Sequence, residues 1–261
     1  MVAEHVPKEI KLTVTSSPAR GIESTLLLTE QLVKQGYAVV PHIAARLLVD
    51  EAHLGEVLAR LQDRDVREIF VVAGDQEQPA GKFFDSVALL AAIEDSGHRL
   101  DEIGIAGYPE GHPFVSAEAL FRVLRQKEKR STYVVSQVSF DAGRIGSWVQ
   151  AVRRKGVQLP IYVGLPGVAD RQKLLRISIK IGVGESARYL AKNRTWLGRL
   201  FLAGAFSSEQ LIEGLAPQLA EPESDVAGFH MYTFNEVERT EKWRRETIER
   251  FDAVRHQAGA T

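Results

Sequence analysis

The sequence predicts an α/β fold in which parallel strands alternate with helices and form a (β/α)8 barrel of the TIM type. Three observations support this prediction. Seven short segments rich in Val and Ile have the length and composition of strands. Their first residues recur at intervals of roughly thirty until the last gap, and helical periodicity fills the intervals. The segments are 9–15, 38–44, 69–74, 103–108, 134–140, 161–166 and 226–234.

The predicted helices share apolar residues at spacings of three and four, and several carry a capping residue. Asp50 and Ser116 are placed as N-caps, and Gly36 and Gly156 follow helix ends. Two successive helices explain the long gap before the last strand. No linker-like segment interrupts the series, so residues 1–261 are assigned to a single barrel domain. The helical stretches are 21–36, 50–61, 116–124, 145–156, 170–181, 185–201, 208–219 and 236–257.

The composition excludes several classes of protein. The 33 Lys and Arg nearly balance the 34 Asp and Glu, which leaves no basic footprint for nucleic acid or an anionic membrane. The absence of cysteine excludes disulfides, thiolate zinc sites and cysteine nucleophiles. No apolar run reaches membrane-spanning length and the start lacks a signal-peptide core, so a cytoplasmic location is expected.

The segment IGIAGYPEGHP, 103–113, is the first candidate site. An apolar strand ends there in Tyr108, Glu110 and His112, which lie among Pro109 and Pro113. Proline fixes its own φ angle and restricts the backbone conformation of the residue before it, so the segment is expected to be stiff. Barrel enzymes carry their chemistry at such carboxyl ends of strands.

Other polar side chains lie at the ends of neighbouring strand segments. Asp75 closes VVAGD and either accepts ring N–H groups from a heterocycle or caps the following helix. Gln137 lies within a predicted strand. If its side chain points into the barrel, its amide can hydrogen-bond a ligand, and if it points outward it has no role in binding. His42 has the same two interpretations, and Tyr232 lies at the end of the last segment.

Metal binding and classical nucleotide motifs are not supported by the sequence. His42, His112 and His230 are far apart, with no HxxxH or HxxE spacing. No Walker loop, GxGxxG or GxSxG pattern occurs. We therefore expect no metal and no Rossmann-type dinucleotide site.

Six motifs, taken in order and approximate spacing, resemble the methylenetetrahydrofolate reductase family. The most specific is GYPEGHP, and the similarity extends over nearly the whole chain. The motifs are HIA at 42–44, VVAGD at 71–75, GYPEGHP at 107–113, SQVSFD at 136–141, PIYVGLPGV at 160–168 and FHMYTFN at 229–235.

The resemblance implies a barrel that reduces 5,10-methylenetetrahydrofolate to 5-methyltetrahydrofolate with hydride from NADH or NADPH, usually through bound FAD. It implies that Asp75 and Gln137 hold the pterin, and Tyr232 is assigned to the same substrate site. His42, Tyr108 and His112 would lie around the flavin or nicotinamide. Asp75 would stabilise the developing cation. The proton would come from Glu110, His112 or solvent.

Three departures from the family pattern change these expectations. Ala73, Ala119 and Gln126 stand where flavin-binding members have Arg, Asp and Lys, so FAD binding is doubtful. Some actinobacterial members, similar in FNEVERTEKW, pass hydride from NADH directly to folate, and this route is expected here. The family's first strand, with its glutamate, has no counterpart before residue 9, which leaves either a lost strand or a seven-stranded barrel with an edge that needs cover. Glu236 replaces a frequent Arg.

Two alternatives belong to other functional classes. One is a folate-binding relative that has lost catalysis, motivated by the missing glutamate. The other is tetrahydrofolate-dependent methyl transfer on the same scaffold. All three interpretations share a small-molecule folate ligand and are compatible with an oligomer.

Overall fold

Seven parallel strands form one continuous sheet in the computed structural model, which describes residues 2–112, 115–169, 173 and 207–258. The strands follow the sheet in chain order, from β1 at one end to β7 at the other. All seven predicted strands are confirmed. They are Leu12–Val14 (β1), Val39–Ala44 (β2), Glu68–Val72 (β3), Glu102–Gly107 (β4), Tyr133–Ser136 (β5), Ile161–Pro166 (β6) and Val226–Tyr232 (β7).

Helices connect successive strands, as the parallel pairing of those strands requires. The predicted helices outside 170–201 are confirmed, whereas 170–181 and 185–201 lie outside the described residues except for Lys173. The helix at 86–95 had no separate prediction. The helices are Val2–His5 (α1), Gly21–Lys34 (α2), Glu51–Gln62 (α3), Ser86–Asp95 (α4), Ala117–Glu128 (α5), Ala142–Arg154 (α6), Ser208–Ala220 (α7) and Val237–Ala258 (α8).

The strand register places one set of side chains on the concave face of the sheet. His42 lies opposite Phe70, Phe70 opposite Gly104, and Gly104 opposite Tyr133. The pairing continues on β6 and β7, where Gly164 lies opposite His230. Because side chains alternate along a strand, every second residue from these positions shares the concave face.

The sheet is curled, and its two ends approach each other. His42 on β2 and His230 on β7 are close enough to interact electrostatically. Val237 at the start of α8 packs with Val14 of β1 and with Val6, which follows α1. Within the described ranges β1 and β7 form no pair. The structure therefore shows a curled sheet of seven strands that is compatible with a barrel, and residues of α1 and α8 pack near its β1 end.

Hydrophobic packing fixes the helices on the convex face. Ile43, Ile69 and Ile105 of adjacent strands are fully buried in one cluster with residues of the surrounding helices. The concave face is filled near its amino end by Phe70 and Tyr133. Burial of such side chains contributes about 1.5–3 kcal/mol each. The carboxyl ends of the strands are left for polar groups.

A polar network closes the amino end of the concave face. The Tyr133 hydroxyl donates to Glu68 Oε1 at 2.7 Å, and the Lys11 ammonium pairs with the other oxygen of Glu68 and with Glu102. Burial raises the pKa of Glu68, although Lys11 and Tyr133 oppose that effect. In barrel folds this end serves stability, and the network satisfies the groups buried there.

Helix N-termini are capped largely as the sequence predicts. Asp50 accepts a hydrogen bond from the His53 amide at 2.9 Å, and Ser116 accepts one from the Ala119 amide at 3.3 Å. Asp85 caps α4, and its Oδ1 accepts from Val87 N at 2.8 Å and from Ala88 N at 2.9 Å. These bonds satisfy amides that have no partner within the helix.

We expect Asp85→Ala to lower the free energy of unfolding by about 1 kcal/mol, because two amides of α4 lose their acceptor. Asp95→Ala at the other end of α4 is the control, since a carboxylate at a helix C-terminus contributes nothing favourable. Urea unfolding with an unchanged m-value measures both. Equal losses in the two variants would reject the capping role.

Candidate active site

The carboxyl edge of the sheet, where β2 to β7 end, collects most of the predicted site residues. The Tyr108 and His112 rings meet edge to face with centroids 5.5 Å apart. The charge of the Asp75 carboxylate acts to raise the pKa of both rings. The Tyr108 phenol in turn acts to raise the pKa of Tyr232. Asp75 and Tyr232, which are 157 positions apart in the sequence, thus lie at the same edge of the sheet.

Asp75 is available to a ligand. It lies three residues after the end of β3, and its side chain is exposed. The interpretation of Asp75 as a helix cap is wrong, because Asp85 caps α4. No hydrogen bond to the Asp75 carboxylate is found among the described residues. Gly74 before it has φ 92°, and a Cβ there would lie 3.1 Å from Ala44 Cβ, so the turn that presents Asp75 favours glycine.

Arg46 holds the loop that carries Asp75, a role that sequence reasoning missed. Its Nη1 donates to the carbonyl of Gln76 at 2.9 Å and its Nε to the carbonyl of Phe84 at 3.0 Å. The Arg46 backbone adds a bond from its amide to Ala73 O at 3.0 Å. Both ends of the loop are therefore tied to the segment after β2. No motif surrounds Arg46 that could have marked it.

The Tyr108 segment is fixed by its own turn and by a neighbouring loop. The Gly111 amide donates to Tyr108 O at 3.1 Å, and Gly111 has φ 83°. Glu110 Oε1 accepts from Ser139 Oγ at 2.6 Å and from the Phe140 amide at 3.3 Å. The Glu110 carboxylate thereby joins the β4–α5 and β5–α6 loops. Pro113 lies outside the described residues.

The electrostatic environment differs for the two aromatic groups of this segment. Burial raises the pKa of the Tyr108 phenol, and the Asp75 carboxylate raises it further. Burial lowers the pKa of His112, whereas Asp75 acts to raise it. Tyr108 therefore remains a neutral hydrogen-bond donor, and His112 has a proton affinity that depends on Asp75.

His42 and His230 are neutral side chains on the concave face. Burial, with a smaller contribution from His230, lowers the pKa of His42 to about 3. Burial alone lowers the pKa of His230 to about 4. Nε2 of His42 is buried and has no hydrogen-bond partner in the described part of the chain. A buried polar atom without a partner is costly, so a ligand that supplies one is favoured here.

Gln137 lies after β5 rather than within the strand as predicted. Its amide donates to Gly107 O at 2.7 Å, which places it beside the residue before Tyr108. Its Oε1 accepts from the Val138 amide at 3.2 Å. By alternation Gln137 shares the concave face with Tyr133, so it belongs to the same edge.

The Tyr232 ring is fixed at the end of β7. Its hydroxyl donates to Ser136 O at 3.0 Å, and Ser136 Oγ accepts from the Gly164 amide at 2.8 Å. A Cβ on Gly164 would lie 2.3 Å from Ser136 O and 2.7 Å from the Tyr232 ring. Glycine is therefore needed for this close approach. With its hydroxyl engaged, Tyr232 offers a ligand mainly its ring.

The positions that depart from the flavin pattern carry no charge. Ala73 contributes its carbonyl to the Arg46 amide, and Ala119 its amide to Ser116. Gln126 is exposed on α5. Glu236, the third departure, pairs with Lys173.

Two other features are absent from the described residues, a metal-binding cluster and a membrane-spanning helix. No three His, Cys, Asp or Glu side chains come together there as a metal-binding group. No helix there has the length and apolar character needed to cross a bilayer.

A curled parallel sheet with polar groups at its carboxyl edge defines an α/β, barrel-like protein with one candidate site. The family model described as methylenetetrahydrofolate reductase matches residues 1–184. Since this is well over half of the chain, the protein belongs to the methylenetetrahydrofolate reductase family. The match contains Asp75, Tyr108, His112 and Gln137, whereas Tyr232 lies beyond it.

A curated relative gives the same family over a shorter stretch. Methylenetetrahydrofolate reductase 1 of Schizosaccharomyces pombe (strain 972 / ATCC 24843) is 35% identical over 83 residues. The aligned stretch covers 30% of this chain and 14% of that relative. The chain thus spans a small part of the yeast protein.

The proximity of Asp75 and His112 is directly testable. Asp75→Asn removes the carboxylate that raises the pKa of His112, so we expect the His112 imidazole to titrate at lower pH. Glu77→Gln, an exposed acid two residues further along the same loop, is the control. NMR titration of the imidazole, assigned with a His112→Gln variant, measures the pKa. An unchanged titration in Asp75→Asn would show that the two groups are not neighbours.

Proposed function

We propose that this protein reduces 5,10-methylenetetrahydrofolate to 5-methyltetrahydrofolate with a hydride from NADH or NADPH. Family membership supports the reaction class. The observation that carries the proposal is the convergence of Asp75, Tyr108 and His112 at one carboxyl edge. A carboxylate, a phenol and an imidazole in one place suit a polar heterocycle that must be protonated and then reduced.

The reaction needs one proton and one hydride. A proton on N10 of the folate breaks the bond between N10 and the bridging carbon, which leaves an iminium cation on N5. Hydride from C4 of the nicotinamide then adds to that carbon and gives the N5-methyl group and NAD(P)+. The donor and acceptor carbons must approach to about 3.5 Å, so positioning supplies much of the rate.

In this proposal Asp75 holds the pterin and stabilises the cation. Its free carboxylate accepts N–H groups of the ring and lies beside the forming positive charge. Gln137 adds an amide at the same edge, and the Tyr232 ring provides a flat surface. The engaged hydroxyl of Tyr232 favours stacking over hydrogen bonding.

His112 is the better proton donor of the two candidates, Glu110 and His112. The Glu110 carboxylate already accepts two hydrogen bonds from the β5–α6 loop and is engaged in joining two loops. The His112 imidazole is only partly buried. Since burial lowers its pKa, the acid form increases as pH falls, and kcat/KM should rise from pH 8 toward pH 6.

Direct hydride transfer without FAD is the favoured route. Ala73, Ala119 and Gln126 offer no charge at the positions where flavin-binding members of the family have charged side chains. These residues do not fit a flavin held by the usual contacts, and no step of the proposal uses one. Tyr108, His112 and the neutral His42 would then surround the nicotinamide.

The test is oxidation of NADH and of NADPH by the purified protein, followed at 340 nm. We expect oxidation only when 5,10-methylenetetrahydrofolate is present, and no stoichiometric flavin band in the visible spectrum. Folate binding by calorimetry without turnover would instead indicate a binding protein. A stoichiometric flavin band would contradict the direct route.

Asp75→Asn should lower kcat/KM by about 100-fold or more, because the amide cannot neutralise the iminium cation. Its melting temperature should change by less than that of Asp85→Ala, since Asp75 caps no helix. Glu77→Gln again serves as the matched control and should retain wild-type turnover. A parallel fall in stability and turnover would assign Asp75 a structural role.

A further inference from the structure

A cavity of about 490 Å³ lies between α5 and α6. Phe121 and Leu124 of α5 and Trp148 of α6 form its apolar walls. Tyr108 closes the end nearest the carboxyl edge. A cavity of this size and character is typical of sites for small organic molecules. We call it the α5–α6 cavity.

Lys127 also lines the α5–α6 cavity and is only 5% exposed. Neither a hydrogen bond nor an ion pair of its ammonium is found among the described residues. Burial lowers its pKa to about 8, while the more distant Asp85 acts in the opposite direction. A lysine that is so largely buried without an ion pair is uncommon, and ordinary packing would favour an apolar residue here.

The chemistry of the walls defines the ligand. An aromatic ring packs well against Trp148 and Phe121. The Lys127 ammonium favours an anionic ligand group. Arg144 is a second cation in the same lining, and its Nε lies 3.9 Å from Oδ2 of Asp141. Two cations suit a phosphate, with its several oxygens and up to two negative charges, better than a single carboxylate. An aromatic nucleoside phosphate combines both features.

We propose that the α5–α6 cavity binds the adenosine phosphate end of the NAD(P)H donor, with Lys127 as the partner of a phosphate group. This inference rests on the proposed function, because that function supplies the dinucleotide. The position supports this source, since Tyr108 both lines the cavity and lies against His112 at the candidate nicotinamide position. In this proposal the Tyr108 ring lies between the nicotinamide and the adenosine phosphate of the bound NAD(P)H.

Binding of 5′-AMP, measured by calorimetry on the whole chain, tests the cavity without depending on turnover. We expect AMP to bind and to compete with NADH. Lys127→Met keeps the alkyl packing and should weaken AMP binding and raise the KM for NADH by about tenfold or more, with a smaller change in kcat. Lys129→Met, the same change at the exposed end of α5, should leave both values unchanged.

A stability measurement separates binding from folding. Lys127→Met removes a buried charge, so its melting temperature should equal or exceed that of the wild type. Ser147→Phe, which narrows the cavity from α6, should weaken AMP binding without removing a charge.

Three results would overturn the proposal. The first is no AMP binding at millimolar concentration, and the second is undiminished binding by Lys127→Met. The third is Lys127-dependent binding of AMP that does not compete with NADH, which would indicate a separate nucleotide site. Lys127-dependent AMP binding in a protein without reductase activity would instead reject the proposed function and leave a nucleotide site.

Discussion

The parallel pairing of neighbouring strands from β2 to β7 is the constraint on which the site depends. Parallel strands that pair in chain order must all end at the same edge. Asp75, Tyr108, Gln137 and Tyr232 each follow or end a strand, so their proximity results from the register rather than from any direct bond between them. The curl of the sheet then brings His230 of β7 toward His42 of β2.

Two loops refine the arrangement that the strands provide. Arg46 ties the loop of Asp75 to the segment after β2, and Glu110 ties the Tyr108 turn to the loop after β5. Both contacts fix backbone positions and leave the Asp75 carboxylate and the His112 imidazole beside each other. His42 and His230 are buried and neutral on the concave face of the same sheet.

Sequence reasoning located the strands well because runs of Val and Ile bounded by turn residues are a strong local signal. It located the ends less well. VVSQVSF has strand composition throughout, yet β5 ends at Ser136, because pairing with a neighbour rather than composition determines where a strand stops. The helix α4 escaped a separate prediction because SVALLAAIED is almost uniformly apolar and shows little periodicity. Its cap Asp85, not Asp75, resolves the ambiguity that a single sequence left open.

The residues that the sequence did not reveal act through tertiary placement. Lys127 lies in the charged run RQKEKR, which is typical of a solvated face, and only the position of α5 against α6 buries it. Arg46 has no motif around it, and its role depends on where a distant loop passes. His230 was recoverable, since it precedes Tyr232 by two residues and must share its face.

If the carboxyl edge of the sheet binds the folate and the hydride donor together, deuterium should pass directly from NADH to the folate. This is measured with NADH that carries deuterium at C4 of the nicotinamide. Each C4 face is labelled in turn, and the product is analysed by mass spectrometry. We expect one of the two labelled forms to deliver its deuterium to the methyl group of 5-methyltetrahydrofolate without loss to solvent. A methyl group whose new hydrogen comes from water, with either label, would contradict direct transfer at this site.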